Sequence, residues 1–312
     1  MTDAQIIFGI VENIEKVMVG KRKAVELLVL SLICEGHVLI EDVPGVGKTT
    51  LVSSLAKSLN LDFKRIQFTP DILPSDITGL TIYDSQKGEF HFHAGAVMTN
   101  ILLADEINRT SPKTQSSLLE VMEERQVTVD GKTYTVPAPF MVLATQNPIE
   151  YIGTFPLPEA QLDRFFMKIS IGYPELQEEI NILQRFNKQS PLETLASVTD
   201  IACIKRLQQH VKEVYVDTSI YKYVTDIANR TRKHPDIELG VSPRASLALV
   251  KASQAVALYA GRDYVIPDDV KSMAHHVFNH RIMLKPEANL KALDSTLIMD
   301  NILSQVMVPT KA

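Results

Sequence analysis

Between residues 37 and 172, short runs rich in apolar and β-branched residues alternate with longer stretches whose apolar positions recur at helical spacing. Five runs read as strands, over 37–40, 63–69, 101–104, 140–145 and 167–171, and helices are expected over 49–59 and 111–124. That alternation predicts an α/β fold with a mainly parallel sheet covered on both faces and ligands at the carboxyl ends of its strands. Two further β patterns interrupt it. One is 127–129 against 132–136 across Asp130-Gly131, the dipeptide of a type I′ turn. The other is 80–83 against 89–93 across residues 84–88. Beyond Tyr173-Pro174 the strands stop. A helix is expected over 175–186, then a polar stretch, 187–199, holding Pro191. Everything after reads helical: 200–213, 217–232, 242–260, 267–279 and an amphipathic run near 294–307. The expected organisation is a core over 1–190, including N-terminal helices, and a smaller helical domain over 191–312.

Composition narrows the class. A chain of 312 residues is long enough for two cores. The net charge of -5 and pI of about 5.9 supply no global positive field for nucleic acid or anionic lipid. Cys34 and Cys203 lie in apolar helical settings without C-x-x-C spacing and read as reduced thiols. The apolar N-terminal positions Ile7, Ile10, Val11, Ile14 and Val17 are interleaved with Asp3, Glu12 and Glu15, which argues against export. The most apolar stretch, 24–33, contains Glu26 and is too short for a bilayer, so no membrane insertion is expected. These features suit a cytoplasmic protein.

The first strand leads into Gly45-Val46-Gly47-Lys48-Thr49-Thr50, where a helix begins. A glycine-rich turn between strand and helix converges backbone N–H groups into a phosphate cradle. Lys48 would add a point charge at the β- and γ-phosphates, and the Thr49 hydroxyl a ligand for Mg²⁺. The pattern G-x-x-x-x-G-K-[ST] places its first glycine where this chain has Asp42, so Asp42-Val43-Pro44 must turn that corner instead. The third strand ends in Asp105-Glu106, which puts two carboxylates at the sheet's carboxyl edge beside the loop. Asp105 is expected to hold Mg²⁺ through water, and Glu106 to orient and deprotonate the attacking water. The next strand ends in Gln146-Asn147-Pro148. The Asn147 amide could hydrogen-bond the γ-phosphate or the water, although Asn-Pro is also an ordinary turn opener.

Transition-state charge calls for a cation, and an arginine there can be worth roughly 10³–10⁵ in rate. Arg164 and Arg244 are the candidates, with Arg109 and Arg125 read as surface or salt-bridged residues. Arg244 follows Ser242-Pro243, an N-cap with proline at N1, so it sits in the first turn of a helix and could lean into the nucleotide. Arg164 immediately precedes the last core strand, which places it at the domain's edge, away from its own Lys48 and suited to a neighbour's phosphate. Head-to-tail repetition of such a contact closes into a ring. The pairs His91/His93 and His276/His280 lack the partners of a familiar metal set, and no nucleophilic triad is recognisable.

Four segments together resemble the MoxR family of AAA+ ATPases: Val43-Pro44-Gly45-Val46-Gly47-Lys48-Thr49, Leu103-Ala104-Asp105-Glu106-Ile107-Asn108-Arg109, Ala144-Thr145-Gln146-Asn147-Pro148 and Ala160-Gln161-Leu162-Asp163-Arg164-Phe165. The likeness continues through Gly240-Val241-Ser242-Pro243-Arg244-Ala245 to His280-Arg281. It implies a P-loop AAA+ core with a five-stranded parallel sheet, two β-hairpin insertions and an all-helical C-terminal lid. It implies ATP bound by Val43 to Thr50, with Mg²⁺ at Thr49 and Asp105. Asn147 would be the first sensor, Arg164 the arginine finger and Arg244 the second sensor, while Met18-Val19-Gly20 would flank adenine. Asp42 fits the family's own Glu-Asp-x-Pro-Gly variant. The hairpins match the helix-2 insert and pre-sensor-1 hairpin of the branch that includes magnesium chelatase and replicative helicases. The resemblance further implies a chaperone-like ring, a homo-hexamer in ATP, acting on protein clients, von Willebrand A-domain proteins among the partners. A nucleic-acid translocase is the alternative, opposed by the acidic pI and the absence of a basic recognition helix. A scaffold that binds ATP with little hydrolysis is a third reading, opposed by the intact Lys48, Asp105, Glu106 and Asn147.

Overall fold

A computed structural model describes residues 1–147, 153–186, 190–290 and 293–309. Pro148 of the expected Asn-Pro turn lies outside these residues, as do 187–189 beside the expected domain boundary. The eleven described strands are β1 (Val38–Glu41), β2 (Phe63–Gln67), β3 (Gly79–Asp84), β4 (Glu89–Ala94), β5 (Ile101–Asp105), β6 (Gln126–Val129), β7 (Lys132–Thr135), β8 (Met141–Gln146), β9 (Met167–Ile169), β10 (Ile237–Leu239) and β11 (Met283–Leu284). Five of them form one parallel sheet in the order β2-β5-β8-β1-β9.

Side-chain parity assigns each face of this sheet to a different core. Ile101 and Leu103 of β5, Met141 and Leu143 of β8, and Val38 and Ile40 of β1 pack with the helices Asp3–Glu15, Arg22–Ile33 and Lys48–Ser58. Leu102, Ala104, Val142, Ala144 and Leu39 point the other way, toward Leu118 and Leu119 of the helix Pro112–Glu124. Burying one such leucine or isoleucine stabilises the fold by about 1.5–3 kcal/mol. Both faces being covered explains why these strands are apolar at successive positions rather than at alternate ones.

Both expected hairpins are present, β3–β4 and β6–β7. Asp130 and Gly131 have φ of 49° and 75°, the two left-handed residues that the turn requires. The hairpins also touch each other. Phe92 of β4 stacks on Tyr134 of β7 with ring centroids 3.9 Å apart and planes 12° from parallel.

The C-terminal part is built on the helices Ile201–Glu213, Thr218–Lys233, Pro243–Tyr259, Pro267–Phe278 and Ser295–Gln305, plus an unforeseen addition, the short antiparallel pair β10–β11. It shares the first hydrophobic core with the N-terminal helices. Gln208 Nε2 donates to Leu32 O at 2.9 Å, and the buried Cys34 thiol donates to Lys251 O at 3.4 Å. Burial pushes that thiol up to about 12. Residues 192–198 lie back on the core: Lys57 Nζ donates to Leu192 O and Glu193 O, and Val198 N donates to Ser58 O.

Candidate nucleotide site

Gly45 and Gly47 have φ of 86° and 92°, so the loop takes left-handed turns that other residues resist. Gly47 stands at the N-cap of the helix Lys48–Ser58, whose free N–H groups face the mouth of the loop. Thr49 and Thr50 follow in its first turn, while Val43 and Pro44 carry the chain from Asp42 to Gly45. The Lys48 ammonium donates to the Asp42 carbonyl at 2.6 Å. Partial burial lowers its pKa, and the nearby carboxylates of Asp42, Asp105 and Glu106 oppose that shift.

The carboxyl ends of β5 and β8 supply the second wall. Asp105 Oδ1 accepts from the Thr145 hydroxyl at 2.6 Å, and that same hydroxyl oxygen accepts the Glu106 N–H at 2.8 Å. Asp105 Oδ2 accepts from Arg65 at 2.7 and 3.1 Å. Glu106 has φ of 57°, so the chain turns sharply as it leaves β5. Its Oε2 accepts from Gln67 Nε2 at 2.6 Å and from Arg109 Nη1 at 3.0 Å. Arg109 is therefore salt-bridged, as expected, but to a site carboxylate. Asn147 is buried at the end of β8 between these acids and the phosphate loop, since Gln146 pairs with Glu41 of β1. The oxygens of Thr49 and Asp105 are hard donors of the kind Mg²⁺ takes. Because both Asp105 oxygens already carry partners, the donor set suits an ion that keeps its own waters.

A cavity of about 390 Å³ opens beside the loop. Met18 and Val19 line one side of it, and Gly45 to Gly47 line the floor. Gly20 does not line it. There φ is 71°, and an added Cβ would lie 1.9 Å from the Glu178 carboxyl carbon. Sequence reasoning missed the opposite wall, made by Tyr173, Pro174, Glu179, Ile182 and Leu183. The amphipathic pattern of 175–186 was the available signal, but nothing in it says which face meets a ligand. Arg65 and Gln67 were also missed, because polar residues within a strand give no sign of what they approach.

Arg164 and Arg244 sit elsewhere. Arg164 Nε lies 3.3 Å from Glu123 Oε2, and Arg244 Nη1 lies 3.2 Å from Glu123 Oε1. Two residues beyond Arg164, Phe166 N donates to His37 O just before β1, which fixes this cluster at the amino edge of the sheet. Lys48 follows its carboxyl edge. From Val38 to Asp42 the strand direction alone spans roughly 13 Å at about 3.3 Å per residue. The expected N-cap is present, with Ser242 Oγ accepting from Ala245 N, and Arg244 meets the same Glu123 as Arg164. Arg281 anchors the segment: its guanidinium is buried, donates to Phe165 O at 2.6 Å and lies 2.9 Å from Asp163 Oδ1. Arg125 donates to Glu35 O at 2.9 Å, a structural role consistent with its expected reading.

This combination of loop, paired acids and helical lid defines the AAA class of ATPase folds. A profile described as "ATPase family associated with various cellular activities (AAA)" matches residues 37–167, and an AAA lid domain profile matches 229–301. The chain is 54% identical over 301 residues to YeaC of Bacillus subtilis, covering 96% of this chain and 94% of that one. It is 42% identical over 307 residues to Chaperone MoxR1 of Mycobacterium tuberculosis, covering 95% and 81%. Its identity to Protein MoxR of Paracoccus denitrificans is 31% over 319 residues, covering 94% and 93%. A crystal structure of a Cytophaga hutchinsonii protein aligns with a TM-score of 0.93 at 38% identity, covering 99% and 96%. The chain belongs to the MoxR family of AAA+ ATPases. No described helix is long and apolar enough to cross a membrane.

Proposed function

We propose that this protein hydrolyses ATP with Mg²⁺ and works as a cytoplasmic head-to-tail ring that remodels or activates protein clients. The observation that carries the reading is the division of the site. Lys48, Asp105 and Glu106 gather at the carboxyl edge of the sheet, and Arg164 with Arg244 gathers at the amino edge. One subunit holds two halves that face different nucleotides, and repetition brings them together.

In this reading Val43 to Thr50 wrap the phosphates, with Lys48 leaving the Asp42 carbonyl for them. Thr49 and Asp105 would hold Mg²⁺, which would supply neutralisation of the developing phosphate charge. Glu106 takes the proton of the attacking water, Asn147 orients that water, and the arginines come from the neighbouring subunit. Family resemblance suggests six subunits and von Willebrand A-domain partners, and the relative named Chaperone MoxR1 supports action on proteins. Steady-state ATPase assays test the chemistry. Lys48→Ala should lose nucleotide binding, and chelation of Mg²⁺ should stop turnover. Glu106→Gln should bind ATP and hydrolyse it about 10²–10⁴-fold more slowly. Wild-type turnover by Glu106→Gln would overturn the assignment, whereas a stable ATP-bound form is the reagent for capturing clients.

A further inference from the structure

Asp42 occupies the corner where the general phosphate-loop pattern has glycine, yet its side chain is not idle. The residue is buried, 7% exposed, and its carboxylate collects four donors. Oδ1 accepts the Val43 N–H at 3.0 Å. Oδ2 accepts the Ile171 N–H at 2.5 Å, the Gly172 N–H at 2.8 Å and the Ser170 hydroxyl at 3.1 Å. Residues 170–172 are the exit of β9. Gly172 then turns with φ of 66°, and the next residues, Tyr173 and Pro174, begin the wall of the cavity opposite Met18. The carbonyl of the same Asp42 receives Lys48. One residue is thus bound to the phosphate loop on one side and to the chain leading into the base-side wall on the other.

We propose that Asp42 is a positioning residue that sets the register between the phosphate cradle and the base-side wall at 173–183. It does so by clasping the exit of β9. A glycine at 42 would free the corner but remove the acceptor that the Ile171 and Gly172 N–H groups and the Ser170 hydroxyl share. The glycine-to-aspartate exchange is therefore the substitution of a joint for a hinge. A ligand that spans both subsites depends on the joint, and one that fills only the cradle does not.

The proposal rests on the reading of residues 43–50 as the nucleotide site, and two probes separate the two ideas. ADP spans cradle and base wall, and tripolyphosphate fills the cradle alone. Binding of each to the full-length protein is measured by calorimetry with Mg²⁺ present, for wild type, Asp42→Gly, Asp42→Asn and Gly172→Ala. Asp42→Gly restores the general motif. Asp42→Asn keeps the shape but removes the charge and offers an acceptor at only one of the two oxygen positions, where Oδ1 serves Val43 and Oδ2 serves the other three donors. Gly172→Ala strains the clasp from its far side at a left-handed φ while leaving the loop's own residues untouched. Losing hydrogen bonds to a buried charge predicts an ADP dissociation constant raised by about tenfold or more in each variant. Tripolyphosphate should weaken by less than about threefold, because the cradle's donors remain those of the loop and helix start. If Asp42→Gly binds ADP as tightly as wild type, or if all three variants lose both probes equally, the clasp does not set this register. If wild type itself binds neither probe, or Lys48→Ala binds both unchanged, the nucleotide-site reading fails instead.

Discussion

Mixing two inactive variants should restore activity, and by a calculable amount. In Arg164→Ala subunits the carboxylate side is whole, and in Glu106→Gln subunits the arginine side is whole. In the proposed ring, with the two sides at opposite edges of the sheet, a working junction would take Glu106 from one subunit and Arg164 from the next. In a randomly mixed equimolar ring each junction meets that requirement with probability one half times one half, so about a quarter of wild-type turnover per junction is expected. Alone, Arg164→Ala should fall by roughly 10³-fold or more and Glu106→Gln by roughly 10²–10⁴-fold, so recovery stands well above background. Coupled-enzyme ATPase assays at varied ratios should peak near equal amounts, with subunit exchange verified by fluorescence transfer. Were the arginine to serve its own subunit, no ratio would recover activity. Fully exchanged rings that stay inactive at every ratio, or wild-type turnover by a strictly monomeric preparation, would refute the reasoning.

Arg281→Met should lower unfolding free energy by about 3–5 kcal/mol, because it leaves Asp163 and the Phe165 carbonyl without their buried partner; urea denaturation measures this, and a loss below 1 kcal/mol would contradict it. Acid should destabilise the fold through His37, whose Nδ1 accepts from Val142 N while Nε2 faces Met122 O, and whose burial lowers its pKa to about 4. The unfolded chain then binds the extra proton first, so stability is lost as pH falls from about 6.5 toward 4, by up to about 1.4 kcal/mol per pH unit for this group. A His37→Gln variant should flatten that slope, and an unchanged slope in pH-dependent melts would rule the histidine out. Nucleic acid should not stimulate turnover at physiological salt; strong stimulation by single- or double-stranded DNA would favour a translocase.

Much of the architecture was legible because it depends on local patterns. The five sheet strands, the Asp130-Gly131 turn and the Ser242-Pro243 cap each have a short-range cause, and all are present. Strand ends were less legible. β2 ends at Gln67 rather than Thr69, where the chain leaves the ladder after Phe68 donates to Asp105 O. The β10–β11 pair escaped notice because each strand is only two or three residues long and the pairing spans more than forty residues. At the site, Lys48, Asp105 and Glu106 were visible through their spacing from strand ends. Arg65 and Gln67 were not, since their meaning comes from the register of β2 beside β5, a tertiary fact. Arg244 was read correctly as the first turn of a helix, but which nucleotide it faces depends on how the lid packs.

The contact between Cys34 and Lys251 gives this chain an internal reporter. Only two cysteines occur in the sequence, and Cys203 is partly exposed on the helix Ile201–Glu213. A maleimide should therefore mark Cys203 promptly and leave Cys34 alone, since thiolate is the reactive form and burial suppresses it. Separation of the helix Pro243–Tyr259 from the N-terminal helices would break the Cys34–Lys251 contact and should open Cys34 to alkylation. Its labelling rate, followed by mass spectrometry against the fast Cys203 reference, becomes a clock for that separation, readable with and without nucleotide in the unaltered protein.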